Sequence, residues 1–589
     1  MSTKTFKDPV YGYISIDEDI VHNVIDTATF QRLRNIRQTS YAPLYPGALH
    51  NRFIHSLGVC HLGQIAFRAL ERSFEEHQKL KTVALCDLPN KWSRYQYLFE
   101  LACLLHDVGH SPFSHTGEDF YKTSRSSTKI RVLHEADLRK QIKAASGEQK
   151  KKLLDEQNEQ KRYTCQKHLA QLTHDEVFIS AAGENPAPHE IMSCIVALEK
   201  FKELFRDYSE RSFFARCITG LQYEQALNKS TLDYEGMSKE EYNDTKKKAL
   251  LNCFIQLLHS SVIDVDRLDY IIRDAITIGY QSVSVDYERL LNGIVLVPIG
   301  DCNFTIGFHK NAISVIENAV YAHDNEKKWV QGHPTILYDS FLLQRSINYI
   351  EDKVRADYPE ARSTLFSYDS LIGTGSEFGS MKVRYLGDAD LIHLMKNVYP
   401  SLESEEYFSR DTRRLPLWKS EAEFRDFLTK EDRQLIIDVM RVIGLQQGGI
   451  EINDDLLNQC IDDIETAENP AAKRSKQKRR DFIAAVLNVC VQHNIKRNMA
   501  LISASFFKSN FSKTGVKKLW IMFPNGKPCE LQEVSTTLSS APPTEDTAYD
   551  EKLCYFFYYP KENRAKVDVR AFTHDLVDTL RQCNNMVRT

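Results

Sequence analysis

A mainly α-helical fold, with a smaller α+β lobe toward the C-terminal end, is what this sequence predicts. Three observations predict it. Apolar residues recur at helical spacing over most of the first 360 positions, strand-like alternation is confined to short stretches, and the composition is globular. Hydrophobic residues make up 42% and charged residues 26% of 589, which excludes disordered and fibrous classes. A chain of this length divides into several domains. The expected boundaries are a core over 1–360 with a charged helical insertion at about 122–167, a helical extension over 361–470, and an α+β lobe over 471–589.

The elements follow in order. From about residue 16 to 120 the period is helical, and Ile20, Val24, Ile25, Phe30 and Leu33 fall on one stripe. A helix is expected from Asn51 to Leu70, and a buried one from Tyr97 to Leu105. The second breaks at Gly109, just after His106-Asp107-Val108. Lys, Arg, Glu and Gln dominate 122–167, which reads as a solvated hairpin rather than a nucleic-acid contact. Helical pattern resumes from His189 to about Phe205 and from Glu240 to Arg273. Residues 291–308 alternate as strands, and helices return over 311–356. The run Lys473 to Arg480, after Pro470, is a linker or a helix start with a basic face. Leu519–Phe523 and Leu553–Tyr559 read as strands, and Pro542 to Asp546 as a loop. No internal repeat is present.

Several classes are excluded. A formal net charge of −4 gives no long-range pull toward nucleic acid or anionic lipid. The 13 cysteines are dispersed with no Cys-x-x-Cys pair, against a disulfide framework or a thiolate zinc site. The first eight residues have no signal-like apolar segment, and no run of 18 apolar residues occurs. A cytoplasmic protein without a membrane partner is expected.

Four residues carry the first chemical signal. His55 lies near the start of a helix, His106 and Asp107 end a buried apolar one, and Asp266 sits in Ile263-Asp264-Val265-Asp266. A buried His-Asp pair is costly unless neutralised, and a divalent cation neutralises it. Two imidazoles and two carboxylates suit Fe, Mn, Zn or Ni better than Mg or Ca, and they leave room for a water whose pKa the metal lowers. Three histidines within ten residues, in His106-Asp107-Val108-Gly109-His110-Ser111-Pro112-Phe113-Ser114-His115, argue against a plain core segment. After Asp266, Arg267, Tyr270 and Asp274 share one helix face. A cation, an aromatic ring and a carboxylate in that order suit phosphate, sugar or base, and a sugar hydroxyl.

These segments carry a resemblance. Asp8-Pro9-Val10-Tyr11-Gly12, Phe30-Gln31-Arg32-Leu33-Arg34, Asn51-Arg52-Phe53-Ile54-His55-Ser56-Leu57-Gly58-Val59, the His106–His115 segment and Ile263–Asp266 together resemble the HD-domain deoxynucleoside triphosphate triphosphohydrolases. That family includes the bacterial dGTPases and the vertebrate sterile-alpha-motif and HD-domain enzyme. The similarity spans about residues 4 to 340. It implies hydrolysis of a dNTP to deoxynucleoside and inorganic triphosphate, with Mg2+ accompanying the nucleotide. It implies metal ligation by His55, His106, Asp107 and Asp266. It implies a catalytic His174 oriented by Glu118, and phosphate contacts from Arg52, His110, His115 and Arg267. Tyr270 would pack under the sugar, and Gln38 and Asp274 would take the 3′-hydroxyl. Lys4, Asp26, Gln31 and Arg34 would bind an activating dNTP or GTP between subunits of a tetramer. A role in antiviral or antiphage defence goes with such an activity. The alternative is an HD-type nucleotidase or phosphodiesterase acting on another nucleotide. Two departures stand out: a long gap from His115 to His174, and no match for the family's base-side tyrosine between Lys310 and Leu343.

Overall fold

The chain opens on an antiparallel hairpin, β1 (Thr3–Asp8) and β2 (Gly12–Asp17), in Cα register Thr3↔Asp17 to Asp8↔Gly12. Asp8 closes its turn by accepting from the N–H groups of Val10 and Tyr11, at 2.8 and 2.9 Å. The computed structural model describes residues 2–40, 42, 44–79, 92–120, 165–180, 186–224, 239–260, 262–280, 284–299, 304–358, 365–443, 449–465, 470–505, 509–512, 514–539, 553–560 and 567–588. The charged insertion therefore lies outside the described residues up to 164, as does the Pro542–Asp546 loop.

The molecule is mainly helical, as expected. Its helices of about three turns or more are numbered here α1 to α12. The first core is built by α1 (Arg52–Lys79), α2 (Trp92–Leu105), α3 (Pro188–Lys200), α4 (Tyr208–Thr219), α5 (Lys239–Leu258) and α6 (Val265–Ile278). Their apolar faces join one buried cluster with Phe67, Phe99, Phe213 and Phe254 near its centre. The expected helix over Glu240–Arg273 is two helices, because Asp264 ends the break by capping α6. Its side chain accepts from Arg267 N–H at 2.7 Å.

Beside these helices lies a four-stranded sheet in the order β11-β10-β4-β3. It contains β3 (Ile294–Pro298), β4 (Phe304–His309), β10 (Trp520–Met522) and β11 (Pro528–Glu530). β10 and β11 come from the region assigned by sequence to the C-terminal lobe. Phe511, Val516, Ile521 and Leu531 are buried in the first core, so the chain returns there after building a second one. Helix α7 (Ile313–Asn325), a π-helical turn over Glu326–Gln331, and α8 (Pro334–Asp357) follow β4.

Helix α8 joins the cores. Tyr338, Phe341 and Leu342 enter the second core, while Leu343, Ile347, Ile350 and Val354 enter a third. The third includes the hairpin β5–β6 (Ser376–Phe378 and Met381–Val383). The second contains α9 (Lys430–Ile443), α10 (Asp454–Glu465), α11 (Pro470–Gln492) and α12 (Val569–Arg588). Its sheet runs β7-β12-β9-β8, from Leu415–Pro416, Leu553–Tyr559, Asn498–Ser505 and Gly449–Asn453. The span 361–470, expected to be helical, thus also supplies four strands. The basic run Lys473–Arg480 is the start of α11 and not a linker. Lys476 donates to the carbonyl of Asp463 at 2.8 Å, so part of this run faces the acidic α10. No helix among the described residues is long and apolar enough to cross a membrane, and the cysteines among them are free thiols.

Candidate active site

Of the four expected metal ligands, His55, His106 and Asp266 bring one donor atom each within 4.8 Å of one another, and Asp107 lies beside the two histidines. His55 comes from the first turn of α1, Asp266 from the first turn of α6, and His106 and Asp107 from the turn after α2. His55 Nε2 lies 3.0 Å from Asp266 Oδ1, 3.2 Å from His106 Nε2 and 3.5 Å from Asp107 Oδ2. His106 Nε2 lies 3.4 Å from Asp107 Oδ2 and 3.5 Å from Asp266 Oδ1. Donors held about 2.1 Å from one ion stand roughly 3 to 3.4 Å apart. The outer nitrogens are committed elsewhere. His55 Nδ1–H donates to Asp269 Oδ2 at 2.7 Å, and His106 Nδ1–H to the carbonyl of Cys103 at 2.9 Å. Both Nε2 lone pairs are thereby aimed at each other, an arrangement that only a shared cation or proton satisfies. Burial alone would lower His55, yet Asp266 and Asp269 outweigh it and raise its pKa to about 9. The site calls for positive charge, and its donor set fits a divalent transition metal. The Asp266 side chain is 40% exposed while the other three are nearly buried, so access is from its side.

Behind His55 stands a relay that the sequence reading missed. Arg273 grips Asp269 with two donors at 2.9 Å and reaches Asp8 Oδ2 at 2.9 Å. The signal was present: Asp269 and Arg273 fall three and seven residues after Asp266, on a helix whose other face was chosen. Gly58 makes room for this relay, because a Cβ there would sit 1.9 Å from Asp269 Oδ1.

A second cluster adjoins the first at Asp107, whose Oδ1 lies 3.4 Å from His110 Nε2. Arg52 Nη1 donates to Asp107 Oδ2 at 2.6 Å and its Nε to Ser114 Oγ at 3.0 Å. With His55 and His106 it overcomes the effect of burial and holds Asp107 near pKa 2. Glu118 Oε1 is met by His115 Nδ1 at 2.8 Å, His189 Nδ1 at 3.1 Å and His110 Nδ1 at 3.3 Å. His189 stacks on His110 with centroids 4.2 Å apart. Burial would lower His189, but Glu118 overcomes it and raises the pKa to about 9. His110 is pushed well below its usual value, first by burial and then by Arg52 and its neighbouring histidines. Gly109 permits this stacking, since a Cβ there would meet Ser193 N of α3 at 2.3 Å. Phe113 and Ser114, both at positive φ, hold the turn between His110 and Glu118. Asp388 secures it by accepting from Phe113 N–H at 2.8 Å.

His174 is not in this cluster. It lies on the exposed surface at φ 51°, stacked on Tyr208 with centroids 3.6 Å apart. The imidazole that meets Glu118 is His189, at the start of α3. The expected pairing of His174 with Glu118 is thus not present, and His189 makes that contact. The reason is the Pro188-His189-Glu190 helix start, which aims His189 inward, whereas His174 follows the last turn of the helical stretch over 165–173. A histidine directly after a helix-opening proline was the available, weak signal.

The expected sugar end lies along α6. The Tyr270 hydroxyl is 3.4 Å from His323 Nε2. Asp274 Oδ1 is 2.6 Å from His50 Nε2. Gln38 N–H donates to the carbonyl of His50 at 3.0 Å, which puts Gln38 beside that pair. Arg267 departs from expectation: it donates to the carbonyls of Val262 and Ser260 at 2.9 and 3.4 Å and also bonds Tyr270. The four expected activator residues form two neighbouring contacts. Lys4 Nζ lies 3.8 Å from Asp26, and Arg34 donates to Gln31 Oε1 at 2.7 Å while covering the Phe53 ring at 3.6 Å.

Comparison with known proteins agrees with this geometry. A family described as "HD domain" matches residues 52–196, the segment bearing His55, His106, Asp107, Glu118 and His189. The chain carries an HD domain. This HD-domain protein is 41% identical over 113 residues to the deoxynucleoside triphosphate triphosphohydrolase SAMHD1 of Danio rerio, covering 19% of this chain and 16% of that protein. It is 28% identical over 306 residues to the Xenopus laevis SAMHD1, covering 50% and 38%. It is 23% identical over 321 residues to the uncharacterized protein MG461 of Mycoplasma genitalium, covering 54% and 53%. The chain thus spans about half the length of MG461 and less of the others. Among solved structures, a hypothetical protein from Aquifex aeolicus shares the fold with a TM-score of 0.51 at 16% identity, over 97% of this chain and 100% of that one.

Proposed function

We propose that this HD-domain protein is a metal-dependent dNTP triphosphohydrolase, releasing deoxynucleoside and inorganic triphosphate. The observation that carries the reading is that the two-His, two-carboxylate centre adjoins the Glu118 histidine cluster, with His110 Nε2 3.4 Å from Asp107 Oδ1. His55, His106, Asp107 and Asp266 would hold a divalent Fe, Mn, Zn or Ni ion. When bound, such an ion supplies Lewis acidity at the phosphoryl group under attack.

The chain's own residues do the rest. Arg52, His110 and His115 bind and orient the phosphates, with the Arg52 fork fixed on Asp107 and Ser114. Cations aimed at the departing triphosphate stabilise the transition state more than the ground state. Arg267 would join them by exchanging its bonds to Val262 and Ser260 for phosphate oxygens. His189, kept protonated by Glu118, holds the proton for the leaving deoxyribose oxygen. Tyr270 supports the sugar, and Gln38 and Asp274 meet its 3′-hydroxyl.

The reading extends to regulation. Lys4, Asp26, Gln31 and Arg34 supply two cations, a carboxylate and an amide on one patch, which suits an activating dNTP or GTP and assembly to a tetramer. Depletion of nucleotide pools in antiphage defence, and a cytoplasmic location, fit such an enzyme. One experiment tests the whole: each dNTP singly and in mixtures, with products and particle mass measured. Inorganic triphosphate from wild type, lost in a folded Asp266→Ala protein, is the expected outcome. Monophosphate or pyrophosphate as product, or activity retained without Asp266, would refute the reading, the former in favour of another HD-type nucleotidase. Equal turnover alone and in mixtures, at constant mass, would refute the regulation.

A further inference from the structure

The end of the site farthest along α6 from the metal ligands holds more polar groups than a single sugar contact needs. Asp274 Oδ1 receives His50 Nε2 at 2.6 Å, with both side chains 2% exposed. The carboxyl of Glu326, from the π-helical turn after α7, also makes hydrogen-bond contact with Asp274. Gln331 Nε2 donates to Glu326 Oε1 at 2.8 Å. Glu326 Oε2 has no donor among the described residues.

Two carboxyls in contact in the interior cannot both be ionised. They must share one proton, and burial followed by the charge of Asp274 holds the Glu326 carboxyl well above its usual range. That proton is what satisfies Glu326 Oε2. Two further buried atoms beside them, His50 Nδ1 and Gln38 Oε1, also have no partner among the described residues. Buried polar atoms left unpaired are costly, so unmet groups on His50, which bonds Asp274, and on Gln38, which bonds the His50 carbonyl, point to a ligand that meets them. No sequence signal marked Glu326, which sits in the segment where the base-side tyrosine was sought.

We propose that Glu326 is a positioning residue for the nucleotide's sugar end. It bonds Asp274 as His50 does, so that the remaining lone pairs of Asp274 accept from one ligand hydroxyl. This inference rests on the nucleotide reading above and deepens it. Its chemical consequence is a floor that accepts a donor hydroxyl, gains nothing from hydrogen at that position, and repels a phosphate brought against a buried anion. The ligand is then a nucleotide with a free 3′-hydroxyl, and an internal position of a strand cannot seat.

The test uses the full chain loaded with Mn2+. The best dNTP is compared with its 2′,3′-dideoxy analogue in wild type, Glu326→Gln and Glu326→Ala, recording kcat and KM separately. A hydrogen bond to a charged acceptor corresponds to about 10- to 100-fold in preference. Wild type is expected to prefer the dNTP by that factor. Glu326→Gln, whose amide still donates to Asp274, should keep it within about threefold. Glu326→Ala should lose most of it, chiefly in KM. Unchanged Mn2+ affinity in both variants separates this from misfolding. Should the alanine protein not fold, Glu326→Asp, with its carboxyl withdrawn from Asp274, replaces it and should lose the preference likewise. Unaltered preference in the alanine or aspartate protein, or equal loss in Glu326→Gln, overturns the proposal alone. Wild type that neither binds nor hydrolyses any dNTP overturns the nucleotide reading, and the proposal with it.

Discussion

Replacing Gly58 by alanine tests the relay behind the metal centre without touching a ligand. The added Cβ would stand 1.9 Å from Asp269 Oδ1, 2.4 Å from Arg273 Nη2 and 2.8 Å from Asp269 Cγ. Ordinary contact begins at 3.4 Å, so something must retreat by about 1.5 Å. Asp269 and Arg273 are fully buried and bonded to each other, to His55 and to Asp8, so neither is a flexible surface end. Breaking a buried ion pair costs about 3–5 kcal/mol. Overpacking that α1 and α6 relieve by moving apart costs about 1–3 kcal/mol. The cheaper course prevails, and the helices separate. His55 rides on α1 and Asp269 on α6, so that movement stretches their 2.7 Å bond past hydrogen-bonding length. Loss of such a partner costs about 10- to 100-fold in metal affinity or activity. Calorimetric titration with Mn2+, paired with thermal unfolding, reads both effects. Mn2+ affinity within threefold of wild type would refute the account of how His55 is aimed.

Further predictions concern the histidine cluster. His189→Asn should lower kcat by about 10²- to 10⁴-fold, the range for losing a general acid. His174→Ala should stay within about twofold, as for other surface substitutions; the reverse pattern would return the role to His174. The pH profile follows from Glu118, which raises His189 to about 9. The protonated form is present at neutral pH, so kcat should hold there and fall as pH rises through about 9. Glu118→Gln should move that descending limb down by more than one unit, and an unmoved limb would assign it to another group. The same sign governs stability. The His189–Glu118 pair contributes fully below the unfolded histidine value near 6.5, and that contribution fades as pH rises through about 9.

Sequence was most readable where chemistry and periodicity agree. His106 and Asp107 end an apolar helix that can only be buried, and the ligand set follows from residue type. Residues acting one bond away were less legible. Asp269 looks like any helix acid until α1 is seen to bring His55 against it, and Glu326 lies in a charged stretch that resembles solvated surface. The opening hairpin was missed because β1 buries little beyond Asp8, leaving no period-two pattern, although Pro9 and Gly12 marked its turn. Residue type does not separate His174 from His189, because only a folded chain shows which imidazole faces Glu118. Helical period says nothing about which core a segment joins. Residues 510–538 read as part of a terminal lobe yet close the first core.

That return has a consequence for how the chain is made. β10 lies parallel on β4, with Trp520 opposite Gly307 and Met522 opposite His309. Until β10 is synthesised, β4 carries an open edge of backbone donors and acceptors. The two strands are separated by some 210 residues, which a ribosome takes roughly 10–40 s to translate. During that interval β8 and β9 emerge and pair with each other, while the other edge of β9 stays open until β12 follows. The core that packs the ligand-bearing helices is thus closed by a segment translated after the second core's first strands, and the β4 edge is open to mispairing until then.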